Sequence, residues 1–149
     1  MTSIDGVKVL PLAVMADERG AVFHMLAETD RHFVRFGEIY FSSVYSGIVK
    51  AWKNHTRLIA SYACIQGRIK LVLWDGREGS STRGAQQKIF VGPDEYQLVV
   101  VPPGVWHGFQ GLAEPVSILA NCATEPHDPD ELHRLDPHSP AIPYDWSAT

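Results

Sequence analysis

Apolar residues fall in short runs, not in long helical stripes. The segments EIYFSSVY (38–45), IVKAWKNH (48–55), IASYACIQ (59–66) and RIKLVLWD (68–75) are rich in aromatic and β-branched residues, as are QQKIFVG (86–92), YQLVVVPP (96–103) and VSILANCA (116–123). Between them stand Ser46-Gly47, Gln66-Gly67, Asp75-Gly76, Gly92-Pro93 and Pro102-Pro103-Gly104, which supply the backbone angles of turns. Many short strands with this punctuation predict an all-β sandwich or barrel. One helical turn is predicted near the C-terminus. There Asp128 can cap, Pro129 suits the first helical position, Glu131 stands at capping-box spacing, and Asp136-Pro137 ends the segment DELHRL. In the tail IPYDW, Ile142, Tyr144 and Trp146 alternate onto one side, as in an edge strand or a segment laid on a partner subunit.

With 149 residues, 45% hydrophobic and 20% charged, the chain is expected to form one domain over residues 1–149, with a sizeable core. No apolar stretch approaches the length of a membrane span. A net charge of −4 argues against nucleic-acid binding through bulk charge, so an anionic ligand would need a local cluster of cations. The opening MTSIDGVKVLPLAVM lacks the pattern of a secretion signal, and a cytoplasmic protein is expected. Cys64 and Cys122 each lie inside an apolar strand-like run and read as buried free thiols.

Strand alternation concentrates charge. It places Lys53, His55 and Arg57 on one face together with Val49 and Ala51, and turns Lys50, Trp52 and Asn54 the other way. Two readings follow. The face is solvated and paired with Glu38 or Asp75, or it is an anion pocket in which Arg57 and Lys53 hold phosphate and His55 has a lowered pKa. Further on, Arg68 and Lys70 oppose Ile69, Leu71 and Leu73.

Gly47, Lys53, His55 and Gly67 stand at the spacing G-x5-H-x-H-x4-E-x6-G, and Pro102-Pro103-Gly104-Val105-Trp106-His107 fits P-x-G-x2-H. In order, these two motifs resemble those of the cupin superfamily. The resemblance implies a double-stranded β-helix, the jelly-roll barrel, here with one short C-terminal helix. Cupins that bind a metal use two His and a Glu of the first motif and the His of the second. Lys53 replaces the first His and Ala60 the Glu, leaving His55 and His107, so no metal is expected.

The resemblance sharpens toward the dTDP-4-dehydrorhamnose 3,5-epimerases and the related dTDP-sugar 3,4-ketoisomerases. It rests on Asp17-Glu18-Arg19-Gly20-Ala21-Val22-Phe23, on GIVKAWK (47–53) against G-V-x-R-G-x-H, and on Asp75-Gly76-Arg77 with Ser81-Thr82-Arg83-Gly84. VPPGVWHGFQGL and RLDPHSPAIPYDW complete it, and the match runs along nearly the whole chain. The departures fall on catalytic positions. Lys53 stands where the family has its base His, and His127 where it has its acid Tyr. Asp136 matches the Asp that orients the catalytic His, Glu38 and Tyr40 stand where the epimerases have Gln and Asn, and His55 matches the second His of the ketoisomerase block R-G-x-H-x-H.

The resemblance implies a cofactor-independent epimerase or isomerase that moves a proton beside the keto group of a nucleotide-diphosphate 4-keto-6-deoxy sugar. Such chemistry needs a base and a cation near the enolate. Lys53 and His55 are the candidates for those roles, with His127 or Tyr62 returning the proton and Asp136 orienting. Arg19, Glu38, Tyr40, Lys50, Arg57 and His107 are expected to bind substrate. A homodimer is expected as well. A non-catalytic sugar-nucleotide-binding paralogue and a metal-dependent cupin enzyme are the competing readings.

Overall fold

The computed structural model describes residues 3–148. Twelve strands follow one another: β1 (Lys8–Pro11), β2 (Val14–Asp17), β3 (Gly20–Phe23), β4 (Glu38–Tyr45), β5 (Val49–His55), β6 (Ala60–Gln66), β7 (Ile69–Asp75), β8 (Gln86–Val91), β9 (Gln97–Val101), β10 (Val105–Gly111), β11 (Val116–Ala123) and β12 (Leu132–Arg134). They form two five-stranded sheets, ordered β1-β9-β6-β11-β4 and β12-β5-β10-β7-β8, plus a separate β2–β3 hairpin. All pairings between these strands are antiparallel. The fold is the all-β jelly-roll barrel that the motifs imply.

Each of the seven runs picked out by pattern is a strand. The pattern missed β1, the β2–β3 hairpin and β12, which are short and carry little alternation, and also β10, whose glycines break the apolar run. The interior is filled by alternate side chains, among them Tyr62 and Cys64 of β6, Ile69, Leu71 and Leu73 of β7, and Val99 and Val101 of β9. Burial of each large aliphatic side chain contributes roughly 1.5–3 kcal/mol. At the β6–β7 turn, Gly67 has φ +80°, and a Cβ there would lie 2.2 Å from Ser117 Oγ.

Three expectations change. The C-terminal helix is a single 3-10 turn, Pro129–Glu131. Asp128 does cap it, accepting from the Asp130 N–H, but Leu132–Arg134 then extends and pairs with β5. The IPYDW tail, expected as an edge strand or a segment laid on a partner subunit, forms no strand and is laid on its own chain. Ile142, Tyr144 and Trp146 join Trp52 and Val72 on the outer face of the chain's own second sheet, with the Trp52 and Trp146 rings 5.1 Å apart.

The third change lies in β5 and bears directly on the site. His107 pairs with Lys53 and Phe109 with Lys50, so Ala51 and Trp52 together oppose the single residue Gly108. This bulge reverses the alternation. Val49 and Ala51 therefore pack on the outer cluster beside Trp52, while Lys50 comes to the side of Lys53. Gly108 is needed there, because a Cβ would stand 2.3 Å from that of Ala51.

Candidate active site

Between the edge strand β4 of one sheet and β5 and β12 of the other lies a cavity of about 230 Å³. Glu38 and Tyr40 line it from the first sheet; Lys53, His55, Leu132 and Arg134 line it from the second, and Leu58, His127 and Glu131 complete the lining. A neighbouring recess of about 370 Å³ shares Lys53 and Arg134 and adds Lys50, Ser42 and Phe109.

His55 is held by Glu131. Its Nδ1 meets Glu131 Oε1, and the other carboxylate oxygen accepts the backbone N–H groups of Arg57 and Leu58, both at 3.1 Å. Burial raises the Glu131 pKa, but the bonds from His55, Arg57 and Leu58 outweigh it, and the group titrates below its ordinary range. An ionised carboxylate accepts a hydrogen bond from Nδ1–H, which leaves Nε2 with the free lone pair. The His55 pKa lies below its usual value because burial outweighs the attraction of Glu131, with Lys53 and Arg134 adding repulsion. The ring is therefore neutral at pH 7, in a form that can accept a proton.

Lys53 is mostly desolvated, and burial first, then Arg134 and Lys50, lowers its pKa. Arg134 faces it in register across the β5–β12 pair. Lys50 donates to the Ser43 carbonyl at 2.6 Å and to Ser42 Oγ at 3.2 Å. None of Lys50, Lys53 and Arg134 forms an ion pair among the described residues. Three like charges around one recess repel, and a bound anion would relieve that repulsion.

Arg57 is not part of this cluster. β5 ends at His55, and the Arg57 side chain is 54% exposed on the rim, tied to Asp128 at 3.1 Å and Glu125 at 3.5 Å. Asp136 also lies elsewhere. It is exposed beyond β12 and accepts from the His138 N–H, so the carboxylate beside the histidine is Glu131. Arg19 sits at the β2–β3 turn, with its side chain 83% exposed and paired to Asp17. It is not brought to the cavity.

His107 and Tyr62 form a buried pair behind the cavity, each 3% exposed. His107 Nδ1–H donates to the Val105 carbonyl at 3.2 Å, so its Nε2 accepts the Tyr62 hydroxyl proton at 2.9 Å. Burial pushes His107 down to about 3 and Tyr62 well above the ordinary phenol range. This pair is a neutral strut between β6 and β10. His127 stands exposed at the mouth, its backbone N–H bonded to Glu38 Oε1 at 3.1 Å, which fixes the 124–128 segment over β4.

Tyr40 is held by Asn121, a buried β11 residue whose Nδ2 donates to the phenol oxygen at 3.0 Å. Sequence reasoning missed Glu131, Arg134 and Asn121. The only signal at Glu131 was its capping-box position, and its real partner lies 76 residues away.

The donor set is poor for a metal. Lys53 and Ala60 occupy two of the four cupin ligand positions, His107 is committed to Val105 and Tyr62, and no group of three His, Cys, Asp or Glu among the described residues could hold an ion.

A family model described as dTDP-4-dehydrorhamnose 3,5-epimerase matches residues 1–149. The crystal structure of a dTDP sugar isomerase from Desulfovibrio desulfuricans G20 superposes with a TM-score of 0.95 at 39% identity, covering 98% of this chain and 94% of that one. The "Probable low-salt glycan biosynthesis epimerase" of Haloferax volcanii is 34% identical over 147 residues, 97% of this chain and 91% of that protein. The spore coat polysaccharide biosynthesis protein SpsL of Bacillus subtilis is 31% identical, covering 97% of both. The Mycobacterium tuberculosis rmlC epimerase, at 20% identity and a TM-score of 0.87 over 98% of this chain and 76% of that one, shares the fold. Motifs, barrel and relatives agree, and the chain belongs to the dTDP-4-dehydrorhamnose 3,5-epimerase family.

Proposed function

We propose that the protein is an isomerase of sugar biosynthesis that shifts a proton on a carbon next to the keto group of a nucleotide-diphosphate 4-keto-6-deoxy sugar. The observation that carries this reading is the His55–Glu131 pair facing the cavity beside Lys53. A 4-keto group acidifies the neighbouring C–H bond. His55 Nε2 takes that proton, and the electron pair moves onto the keto oxygen. The Lys53 ammonium, in a desolvated setting, stabilises the enolate that forms.

The diphosphate is assigned to Lys50 and Arg134, whose charges are uncompensated, and not to Arg57, whose charge is already met by carboxylates. The family and its relatives' names support a sugar-nucleotide substrate. No organic cofactor is assigned a role, because the carbonyl itself supplies the electron sink.

A second copy of the chain is assigned to the outer face of β4. Ile39, Phe41 and Tyr45 there are 51%, 62% and 71% exposed on an edge strand, a combination that invites pairing.

The test is solvent exchange. A dTDP-4-keto-6-deoxyhexose, with its UDP, GDP and CDP counterparts in parallel, is incubated with the protein in D2O. Deuterium entering a ring carbon beside the ketone is expected with one of them, and none after His55→Ala. Tight nucleotide binding without exchange in any case would point to a binding protein instead.

A further inference from the structure

We infer that Tyr40 is the acid that returns the proton, and that the reaction inverts a carbon centre instead of moving the keto group. The inference rests on the reading of His55 as the base. It deepens that reading by naming the partner across the cavity and the class of product.

The two groups lie on different sheets. His55 ends β5 in one sheet, while Tyr40 lies on β4 at the edge of the other, and the cavity separates them. A sugar ring placed between these walls offers one face to the imidazole and the opposite face to the phenol. Removal of a proton on one side and return on the other inverts the carbon. A ketoisomerase needs no such pair, because it moves hydrogen between neighbouring carbons and one base can carry it.

Hydrogen bonding singles out Tyr40. The orientation of the Asn121 amide is fixed, because its oxygen accepts the Ser61 N–H at 3.0 Å. Its Nδ2 must then point at the Tyr40 oxygen as a donor. The phenol accepts from Asn121, so its own O–H remains to donate into the cavity. Tyr62 lacks this freedom. Its proton is committed to His107, and it does not line the cavity. His127 is exposed to water at the mouth, and only its backbone is anchored.

The step balances. The C–H bond breaks to His55, giving an imidazolium and an enolate. The enolate carbon then takes the Tyr40 proton on the other face, forming a new C–H bond, and the ketone is restored. An imidazolium and a phenolate remain. The imidazolium gives up its proton to water and the phenolate takes one from water, which resets both groups without any redox partner.

Tyr40→Phe removes one oxygen and separates the two half-reactions. In D2O with the 4-keto sugar nucleotide that the wild type turns over, the variant is expected to exchange hydrogen at a rate within about threefold of wild type, since His55 can return deuterium to the face it came from. Formation of the inverted sugar should fall by about 10²-fold or more. His55→Ala should lose both. A melting temperature within a few degrees of wild type checks the fold, and NMR of recovered sugar reads configuration and label together. Inverted product from Tyr40→Phe at near wild-type rate, or a wild-type product whose keto group has moved to the neighbouring carbon, would overturn the assignment while leaving His55 as base. A wild type that exchanges no sugar nucleotide would overturn both.

Discussion

Glu131 reaches His55 across 76 residues and decides which nitrogen of the ring is free. The carboxylate is buried, and its second oxygen is spoken for by two backbone N–H groups, so it cannot swing away. Glu131→Gln would keep those backbone bonds through its carbonyl and turn an NH2 toward Nδ1. The ring must then accept at Nδ1 and carry its proton on Nε2, the wrong tautomer for a base. Turnover is expected to fall by about 10²–10⁴-fold with little change in KM, by analogy with the same substitution beside other catalytic histidines. Steady-state kinetics with the exchanging substrate checks it, and a fall in affinity with unchanged kcat would contradict it.

Most of the barrel was legible because sheet patterning is local. A strand such as Ile69–Asp75 announces its inner face through Ile69, Leu71 and Leu73 alone. The site was less legible, because it depends on features that no local pattern contains. The bulge opposite Gly108 exchanges Lys50 for Val49 and Ala51 on the inner side, and strict alternation cannot foresee an extra residue. The turn after Asp128 likewise looks helical in sequence. It becomes β12 only because β5 offers an open edge to Leu132–Arg134, and that pairing aims Glu131 inward and leaves Asp136 outside.

The pH dependence follows from two imidazoles held neutral. For His55 the pKa is lowered, so the rising limb of kcat/KM is expected to lie below pH 6.5, with a plateau at neutral pH. For His107, the folded chain resists protonation down to about 3, while the unfolded chain takes up a proton near the ordinary 6.5. The unfolded state therefore binds more protons as pH falls below 6.5, and stability drops. It is unaffected by this group above that value. One such group contributes about 1.4 kcal/mol per pH unit. Urea midpoints between pH 6 and 4.5, above the range where Asp75 titrates, should slope less steeply in His107→Gln than in wild type. Equal slopes would mean that His107 is charged in the fold.

The charge cluster predicts which cations matter for nucleotide binding. Arg134→Ala and Lys50→Ala should each weaken a nucleoside diphosphate by about 10–100-fold, the worth of a charged hydrogen bond. Arg57→Ala should change affinity little, because that side chain is exposed and neutralised by Glu125 and Asp128. Isothermal titration at two salt concentrations reads all three. A loss confined to Arg57→Ala would place the anion at the rim instead.

Metal removal tests the donor set. With an ammonium at residue 53 and a methyl group at residue 60, exhaustive chelation is expected to leave the exchange rate unchanged, and added divalent ions should not raise it. Activity lost on chelation and restored by one metal would instead give the free His55 Nε2 lone pair to a ligand bond, with Glu131 still on Nδ1, and would remove it as the base.

The face of β4 that carries the exposed Ile39, Phe41 and Tyr45 is expected to be covered by a second copy of the chain. Val116, Ile118 and Cys122 of β11 lie in register with Tyr45, Ser43 and Ile39 on that same face, which makes the apolar surface continuous over two strands. The N-terminal segment covers the other end of this sheet, where Leu10, Phe23 and Leu26 pack on Leu98 and Val100, but leaves the β4 end open. A stable dimer buries about 800 Å² per partner, and an edge strand with three large exposed side chains is a suitable centre for one. Sedimentation equilibrium is expected to give a dimer for wild type and a monomer for Phe41→Glu, whose carboxylate would be buried without a partner in the interface. Since the monomer already has a filled barrel interior, the variant should remain folded by near-UV circular dichroism, with a melting temperature that no longer rises with protein concentration. A wild type that sediments as a monomer at all concentrations would show that this face is open in solution.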